Sequence, residues 1–494
     1  MKNLFKILFL SCGLLLVGCT DDFEKINTNP DAYSEVPYTN QLAYVIRSAM
    51  DQWGTALDEG EWVGHLSKIQ YLNDYNGLTP SNNTYGNRWY STYTGYVQLD
   101  DILSRTENKN IVNVCKTLQA WLIFCCVDAF GDMPYSQAFK GAPENGGILQ
   151  SPYDSQKDVI TAVLAKLKEA ADSWASGIGS DDLGAGDLLF NGNVKKWQMF
   201  CNSLRLRVAM RIVNVEPSTS QSVCTEIFGN PSSYPYIDSN ANATVFHWLA
   251  DASHFEPWYD NSRTRDDHCI SDILIDHLKM MKDPRIAIIA KPAKKDGEYR
   301  GYENGALLDP ADKNMISRIG ALYRDIPAGT SPLIRACEPY YIMAEAALRG
   351  WSTPMSAEEA YNKAVQLSME ESGVAEDEAT AYLEGPGKFD GSFGMLYFEE
   401  WVGLFKQSLE AWSLYRRTGY PTYIHTAKAA DGVSPRYPGA RSPYNGIHND
   451  IPFRFPYPQN QVNYNNANWS AQDAKLKDYV WGEQLWWDTR KDVH

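Results

Sequence analysis

Apolar residues recur at three- and four-residue steps through long stretches of this chain. Trp197, Phe200, Cys201, Leu204 and Val208 fall on such a lattice, and Ile212 follows. At 3.6 residues per turn that spacing predicts one face of a helix. Trp401, Leu404, Phe405, Trp412 and Tyr415 read the same way, and Val159, Val163, Leu164 and Leu167 predict a further helix ended near Gly177. A helix running roughly from Pro339 to Gly350 precedes Ala357, Tyr361 and Ala364, spaced four and three apart. Small and aromatic residues at that spacing let two helices of a hairpin approach closely, as in the second helix of a tetratricopeptide unit. Between the helices lie irregular stretches rich in Gly, Pro, Asn and Tyr, at 72–87, 140–153, 177–193, 229–263, 290–335 and 420–468. Loops of that length in a compact domain carry function or pack as structure.

The first residues depart from this pattern. Lys2 and Lys6 precede an uncharged run from Ile7 to Thr20. That run is shorter than the roughly 20 residues a membrane-spanning helix needs, and its layout is that of a secretory signal. It closes on Leu16-Val17-Gly18-Cys19, which resembles the lipobox of bacterial lipoproteins. That resemblance implies a signal peptide over 1–18, cleavage before Cys19 and a diacylglycerol on its thiol. Thr20-Asp21-Asp22-Phe23-Glu24 resembles the acidic tag that sends some Gram-negative lipoproteins to the outer face of the outer membrane. No later run reaches 18 consecutive apolar residues, so the lipid is expected to be the sole membrane attachment. Seven cysteines then remain in the mature chain, mostly within apolar helical runs, and buried free thiols are expected rather than a disulfide framework.

Composition narrows the partners. The chain has 494 residues, a net charge of -16 and 13% aromatic residues, including 30 Tyr and 15 Trp. No basic stripe is present to meet phosphates, which argues against nucleic acid. The acidity also disfavours anionic headgroups, leaving neutral partners as the natural reading.

An ordered series of motifs runs through almost the whole chain. Asp22-Phe23-Glu24-Lys25-Ile26-Asn27-Thr28-Asn29-Pro30 begins it, and Ala129-Phe130-Gly131-Asp132-Met133-Pro134-Tyr135 continues it. Asn202-Ser203-Leu204-Arg205-Leu206-Arg207-Val208-Ala209-Met210-Arg211, Asp283-Pro284-Arg285 and Tyr341-Ile342-Met343-Ala344-Glu345-Ala346 follow. The series ends with Arg416-Arg417-Thr418-Gly419-Tyr420-Pro421, Tyr457-Pro458 and Trp486-Trp487-Asp488. In this order the motifs resemble the SusD/RagB family of outer-membrane nutrient-binding lipoproteins, in its SusD-like branch. The chain departs at Ile451-Pro452-Phe453-Arg454-Phe455, where the family often has an Arg pair, and at Gln461, where it has an acid. The resemblance implies a mainly α fold, with four tetratricopeptide-like helix pairs as scaffold and a large irregular portion carrying the ligand site. Residues 19–494 then form a single domain. It also implies a SusC-like, TonB-dependent barrel as partner and a nutrient as ligand. The matched arginines read as structural: Arg207 and Arg211 as salt-bridge partners on a helix, Arg416 and Arg417 as caps of the last turn before Gly419.

Enzyme signatures HExxH, GxSxG, GxxxxGK[ST] and GxGxxG are missing. His247 and His254 are seven apart, a weak hint of a metal. The expectation is a binding protein with no catalytic residue, no metal and no cofactor. Sugars present flat C–H faces and rings of hydroxyls. Trp and Tyr cover the first, and Asn, Asp, Arg and Gln bond the second. Three stretches carry that mixture: Trp53 to Tyr75, with Trp62; His247-Trp248 with Glu256-Pro257-Trp258-Tyr259-Asp260-Asn261 and Arg263; and Tyr299 to Asn304, with Tyr302. The candidate ligand residues are Trp248, Trp258, Tyr259, Asn261, Arg263, Trp62, Tyr75 and Tyr302. Trp89, Tyr90 and Tyr93 read as packing residues. Glycan capture for a transporter is the leading function. A peptide cargo, a glycoside hydrolase using two facing carboxylates, and a protein-binding scaffold are the alternatives.

Overall fold

A computed structural model describes residues 36–70, 82–303, 310–422, 450–476 and 481–493. Cys19, with the segment before it that resembles a lipobox, and Tyr75 lie outside these residues.

The described chain begins with α1 (Tyr38–Trp53), the one-turn α2 (Glu59–Trp62), β1 (Leu66–Lys68) and α3 (Asn82–Arg105). Helices α1 and α3 run antiparallel. Gln41 Nε2 reaches Gln98 Oε1 at one end, and Trp53 Nε1 reaches Thr92 Oγ1 at the other. Helix α4 (Lys109–Phe130) packs against α3 where Gly95 permits close approach, since a Cβ there would lie 2.9 Å from Leu122 Cδ1. By length and composition α4 would suit a membrane span, but 83% of its apolar window is buried inside the fold, as in the core helix of a large domain. Helices α5 (Gln156–Ala175), α6 (Val194–Arg211) and α7 (Pro217–Gly229) each pack against the one before. The lattices read from Val159 and Trp197 fall on α5 and α6, whose N-termini are capped by Ser155 and Asn193.

The stretch from 240 to 335 is less regular. It holds β2 (Thr244–His247), α8 (Pro257–Thr264), β3 (His268–Ile270), α9 (Asp272–Met280), α10 (Ile286–Ile289), α11 (Ala321–Arg324) and β4 (Thr330–Ile334). β1 pairs antiparallel with β3, and β2 with β4. These pairings pin segments far apart in sequence onto the helical body.

Helices α12 (Cys337–Leu348) and α13 (Ala357–Ser372) form the hairpin expected from the Ala357–Tyr361–Ala364 spacing. Ser356 and Glu359 start α13 as a reciprocal capping box. The Tyr361 hydroxyl is buried and donates to the Gly387 carbonyl at 2.9 Å. After α14 (Glu376–Glu384) come α15 (Phe393–Gly403) and α16 (Ser408–Thr418). The lattice from Trp401 to Tyr415 is therefore two helices rather than one. Lys406, at φ +74°, breaks it and turns its ammonium inward to the Tyr323 carbonyl. Helices α17 (Gln459–Tyr464) and α18 (Asn466–Asp473) are the last helices among the described residues. The fold is mainly α, with tetratricopeptide-like helix pairs and an irregular portion between and beyond them.

A buried ionic network ties the pairs together. Arg207 pairs with Glu338 at 2.5 Å, Arg211 with Asp128 at 2.9 Å, and both arginines with Glu410. The expectation for Arg416 and Arg417 is corrected. Rather than capping α16, Arg416 donates to the Asp128 and Phe453 carbonyls, and Arg417 pairs with Glu345 at 2.7 Å. Both are buried, so their guanidiniums serve carbonyls and carboxylates of other elements. Gly419 ends α16 in the left-handed region as expected. Trp89 is buried and Tyr93 half-buried, but Tyr90 is exposed and packs no core. All seven described cysteines are free, six of them buried.

Candidate functional site

The second aromatic stretch forms the most developed surface feature of the three. Pro257 starts α8 with its fixed φ, and the Glu256 carboxylate accepts from the Tyr259 amide at 2.8 Å. That cap orients the helix so that alternate faces meet core and solvent. Trp258 points inward and is 2% exposed, with Phe405 edge-on at 6.0 Å and the Lys406 ammonium 5.3 Å from its ring. On the outer face Tyr259 meets Phe255 at 5.2 Å, nearly perpendicular. The Arg263 guanidinium lies 4.7 Å above Phe255 and pairs with Asp260 at 2.8 Å. Asn261 is half-buried beside them, and Leu249 is exposed on the preceding loop. Main-chain bonds from Trp248 to Gly329 and from Glu256 to Pro327 hold this loop onto the segment before β4.

Three of the predicted stacking residues are corrected. Trp62 is fully buried, edge-on to Trp412 at 5.0 Å. Trp248 is buried, with its indole donating to Ser331 Oγ at 2.9 Å and the Arg47 guanidinium 4.4 Å from its ring. Trp258 is buried as described. Their large apolar area is worth more against the helices than in water. They support the surface from beneath and offer no open face. Tyr259, Asn261, Arg263 and Tyr302 keep solvent access. Tyr302 is fixed through its backbone, which bonds to Ile270 and Asp272 beside β3. The β1–β3 pairing thus brings the first and third stretches to one place, while the second stands on the β2–β4 ribbon.

Sequence reading missed a buried charge cluster at the β1–β3 floor. His268 lies 3.2 Å from Asp58 and 3.3 Å from Asp267, and the Lys68 ammonium 3.5 Å from Asp58 and 3.8 Å from Glu61. Burial alone would lower the His268 pKa, but hydrogen bonds to Asp267 and Asp58 overcome it and raise it to about 9. Burial pushes Glu61 up to about 7 against the pull of Lys68 and His268. Asp58, Glu61 and His268 place ligand atoms within 4.8 Å of one another, close enough for a metal ion. Lys68 already supplies a positive charge there. His247 and His254 do not converge with this group: both are exposed, and His254 pairs with Asp251.

With this geometry in place, the comparisons with known proteins decide the family. A model of the SusD-like family described as "Starch-binding associating with outer membrane" matches residues 31–444. The chain belongs to this family. Its members are binding proteins associated with the outer membrane, and glycan binding is the family's property. Among solved structures, a chitin-binding protein is 23% identical, with a TM-score of 0.77 over 92% of this chain and 100% of its own. A chitin-binding SusD homolog from Flavobacterium johnsoniae is 22% identical, with a TM-score of 0.73 over 92% of this chain and 98% of its own. A SusD-like protein from Bacteroides thetaiotaomicron is 20% identical, with a TM-score of 0.76 over 92% and 100%. At these identities the likeness establishes the fold. No curated protein matches the chain. For a SusD-like protein the buried arginine motifs make sense as scaffold: Arg207, Arg211, Arg416 and Arg417 all serve buried partners between helices.

Proposed function

We propose that this SusD-like protein is a surface lipoprotein, anchored through Cys19, that captures an oligo- or polysaccharide and delivers it to a SusC-like TonB-dependent transporter. The outer face of α8 carries the reading. It sets the ring of Tyr259 beside Phe255 and flanks them with Asn261, Asp260 and Arg263. Rings cover the C–H face of a sugar while the amide and the ion pair bond its hydroxyls. Tyr302 extends the same chemistry on the β1–β3 side, and Tyr75, outside the described residues, is proposed as a further ligand residue. The family's glycan binding and the chitin-binding proteins of similar fold support this reading. Binding alone serves such a role, so no residue is assigned to catalysis, and the expected product of long incubation with an oligosaccharide is the unchanged oligosaccharide.

The test is a glycan array on the mature chain followed by calorimetry of Tyr259→Ala. Losing a ring from the centre of a binding site costs about 2 kcal/mol, roughly thirtyfold in affinity. Unchanged affinity in a variant of normal stability overturns the site. Selective binding of peptides on a parallel array overturns the ligand class. Recovery of a TonB-dependent barrel from membranes in mild detergent tests the partner.

A further inference from the structure

A second surface carries the chemistry of sugar recognition without charge. From Gln459 to Gln472 the chain has eight Asn or Gln side chains, Tyr464 and Trp469, and no Asp, Glu, Lys or Arg. In a chain with 21% charged residues such a run stands out. It folds into α17 and α18, which lie against the loop before α5. Asn465 Nδ2 donates to the Ser151 carbonyl at 2.9 Å, and Asn468 Nδ2 to the Gln150 carbonyl at 3.2 Å. Those amides, with Gln461 accepting from the Tyr153 hydroxyl, fix the two short helices from within.

Other residues of the run face outward. Tyr464 is 75% exposed, and Leu149, on the adjoining loop, is 84% exposed. Gln459, Asn463 and Asn466 are exposed around Tyr464. Beneath this face, the Trp469 indole N–H and the Asn460 side-chain oxygen are buried and have no hydrogen-bond partner among the described residues. A membrane is a poor fit, because the run from Gln459 to Gln472 itself holds no cation to meet lipid headgroups. A peptide edge is a poor fit, because among the described residues no strand is exposed here to extend. Amides both donate and accept, as sugar hydroxyls do, and an isolated tyrosine ring covers one sugar face.

We infer that the α17–α18 surface around Tyr464, Asn463 and Asn466 is an auxiliary contact for a neutral polysaccharide, separate from the α8 face. The inference rests on the glycan reading of the α8 face. It adds that a polymer long enough to touch both surfaces binds more tightly than a short oligosaccharide that touches one. Linking two weak contacts through one chain raises avidity without any new group at either contact.

The experiment compares the wild type with Tyr464→Ala and with the double variant Asn463→Ala, Asn466→Ala. Mobility is read in native gels holding glycol chitin or amylopectin. Calorimetry uses a short oligosaccharide of whichever polymer retards the wild type. The expected result is a loss of polymer affinity of about tenfold or more. Oligosaccharide affinity and melting temperature should stay within the error of the wild type. Unchanged retardation of the variants overturns the inference, as does equal loss toward polymer and oligosaccharide. So does a wild type that binds polymer no more tightly than oligosaccharide. Loss of a co-purifying membrane protein with polymer binding intact reassigns the surface to a protein partner. A wild type that binds neither polymer nor oligosaccharide removes the glycan reading itself, a different failure from any of these.

Discussion

The Lys406 ammonium stands 3.1 Å from the Glu256 carboxylate, and both side chains are buried. This pair joins the break between α15 and α16 to the N-cap of α8. Glu256 holds the first turn of α8 through the Tyr259 amide, so the scaffold orients the aromatic face through one ion pair. Burial lowers the Lys406 pKa while Glu256 counteracts it. Removing one partner of a buried pair typically costs about 3–5 kcal/mol, because the other charge is left without compensation. Lys406→Met is expected to lose stability of that order in urea titration and to weaken glycan binding through α8. If binding falls while stability holds, Lys406 contacts ligand directly instead.

Trp258 and Tyr259 are neighbours with opposite roles. Trp258→Ala removes a buried indole packed on Phe405 and is expected to cost about 3–5 kcal/mol of stability. Tyr259→Ala is expected to cost little stability and most of the affinity. Thermal unfolding and calorimetry on both variants separate the two.

Glu400 lines a small cavity of about 30 Å³ together with Arg207, Arg211, Arg417, Glu338 and Glu410. Burial raises its pKa to about 8, with Arg417 and Arg211 pulling it down and Glu345 and Glu338 pushing it up. The ordinary value of 4.5 applies once the chain unfolds. Folding therefore favours the protonated form. Its contribution is full below pH 4.5 and is lost as pH rises to about 8. Between those limits the slope approaches about 1.4 kcal/mol per pH unit. Glu400→Gln keeps the shape and abolishes that slope. The difference between the two stability curves from pH 5 to pH 8 is the measurement, and parallel curves would refute the assignment.

Cys19→Ala is expected to release the protein from the membrane or to block its maturation. Metabolic labelling with a radioactive fatty acid checks it: the wild type should carry label and the variant none. A wild type that stays unlabelled and soluble refutes the anchor.

Much of the scaffold was legible in the chain. The Trp197 lattice became α6, and the Ala357–Tyr361–Ala364 spacing became α13, because a 3.6-residue period follows from local backbone geometry. The lattice from Trp401 to Tyr415 misled, because periodicity does not register one left-handed residue. Lys406 takes that conformation where its ammonium finds Glu256 and the Tyr323 carbonyl, partners some 150 and 83 positions away in sequence.

By itself the sequence determined the strongly periodic helices such as α6 and α13, and which family motifs appear in order. Each of these depends on residues close together in the chain. Only the tertiary structure decided which aromatic rings are open. Trp248, Trp258 and Tyr259 occupy one stretch and share one composition, yet the first two are sealed by Arg47, Ser331, Phe405 and Lys406 from three distant segments. Tyr259 is left facing solvent because the cap from Glu256 sets the rotation of a two-turn helix. Burial depends on what the rest of the chain brings to a residue, and the local pattern carries no record of that.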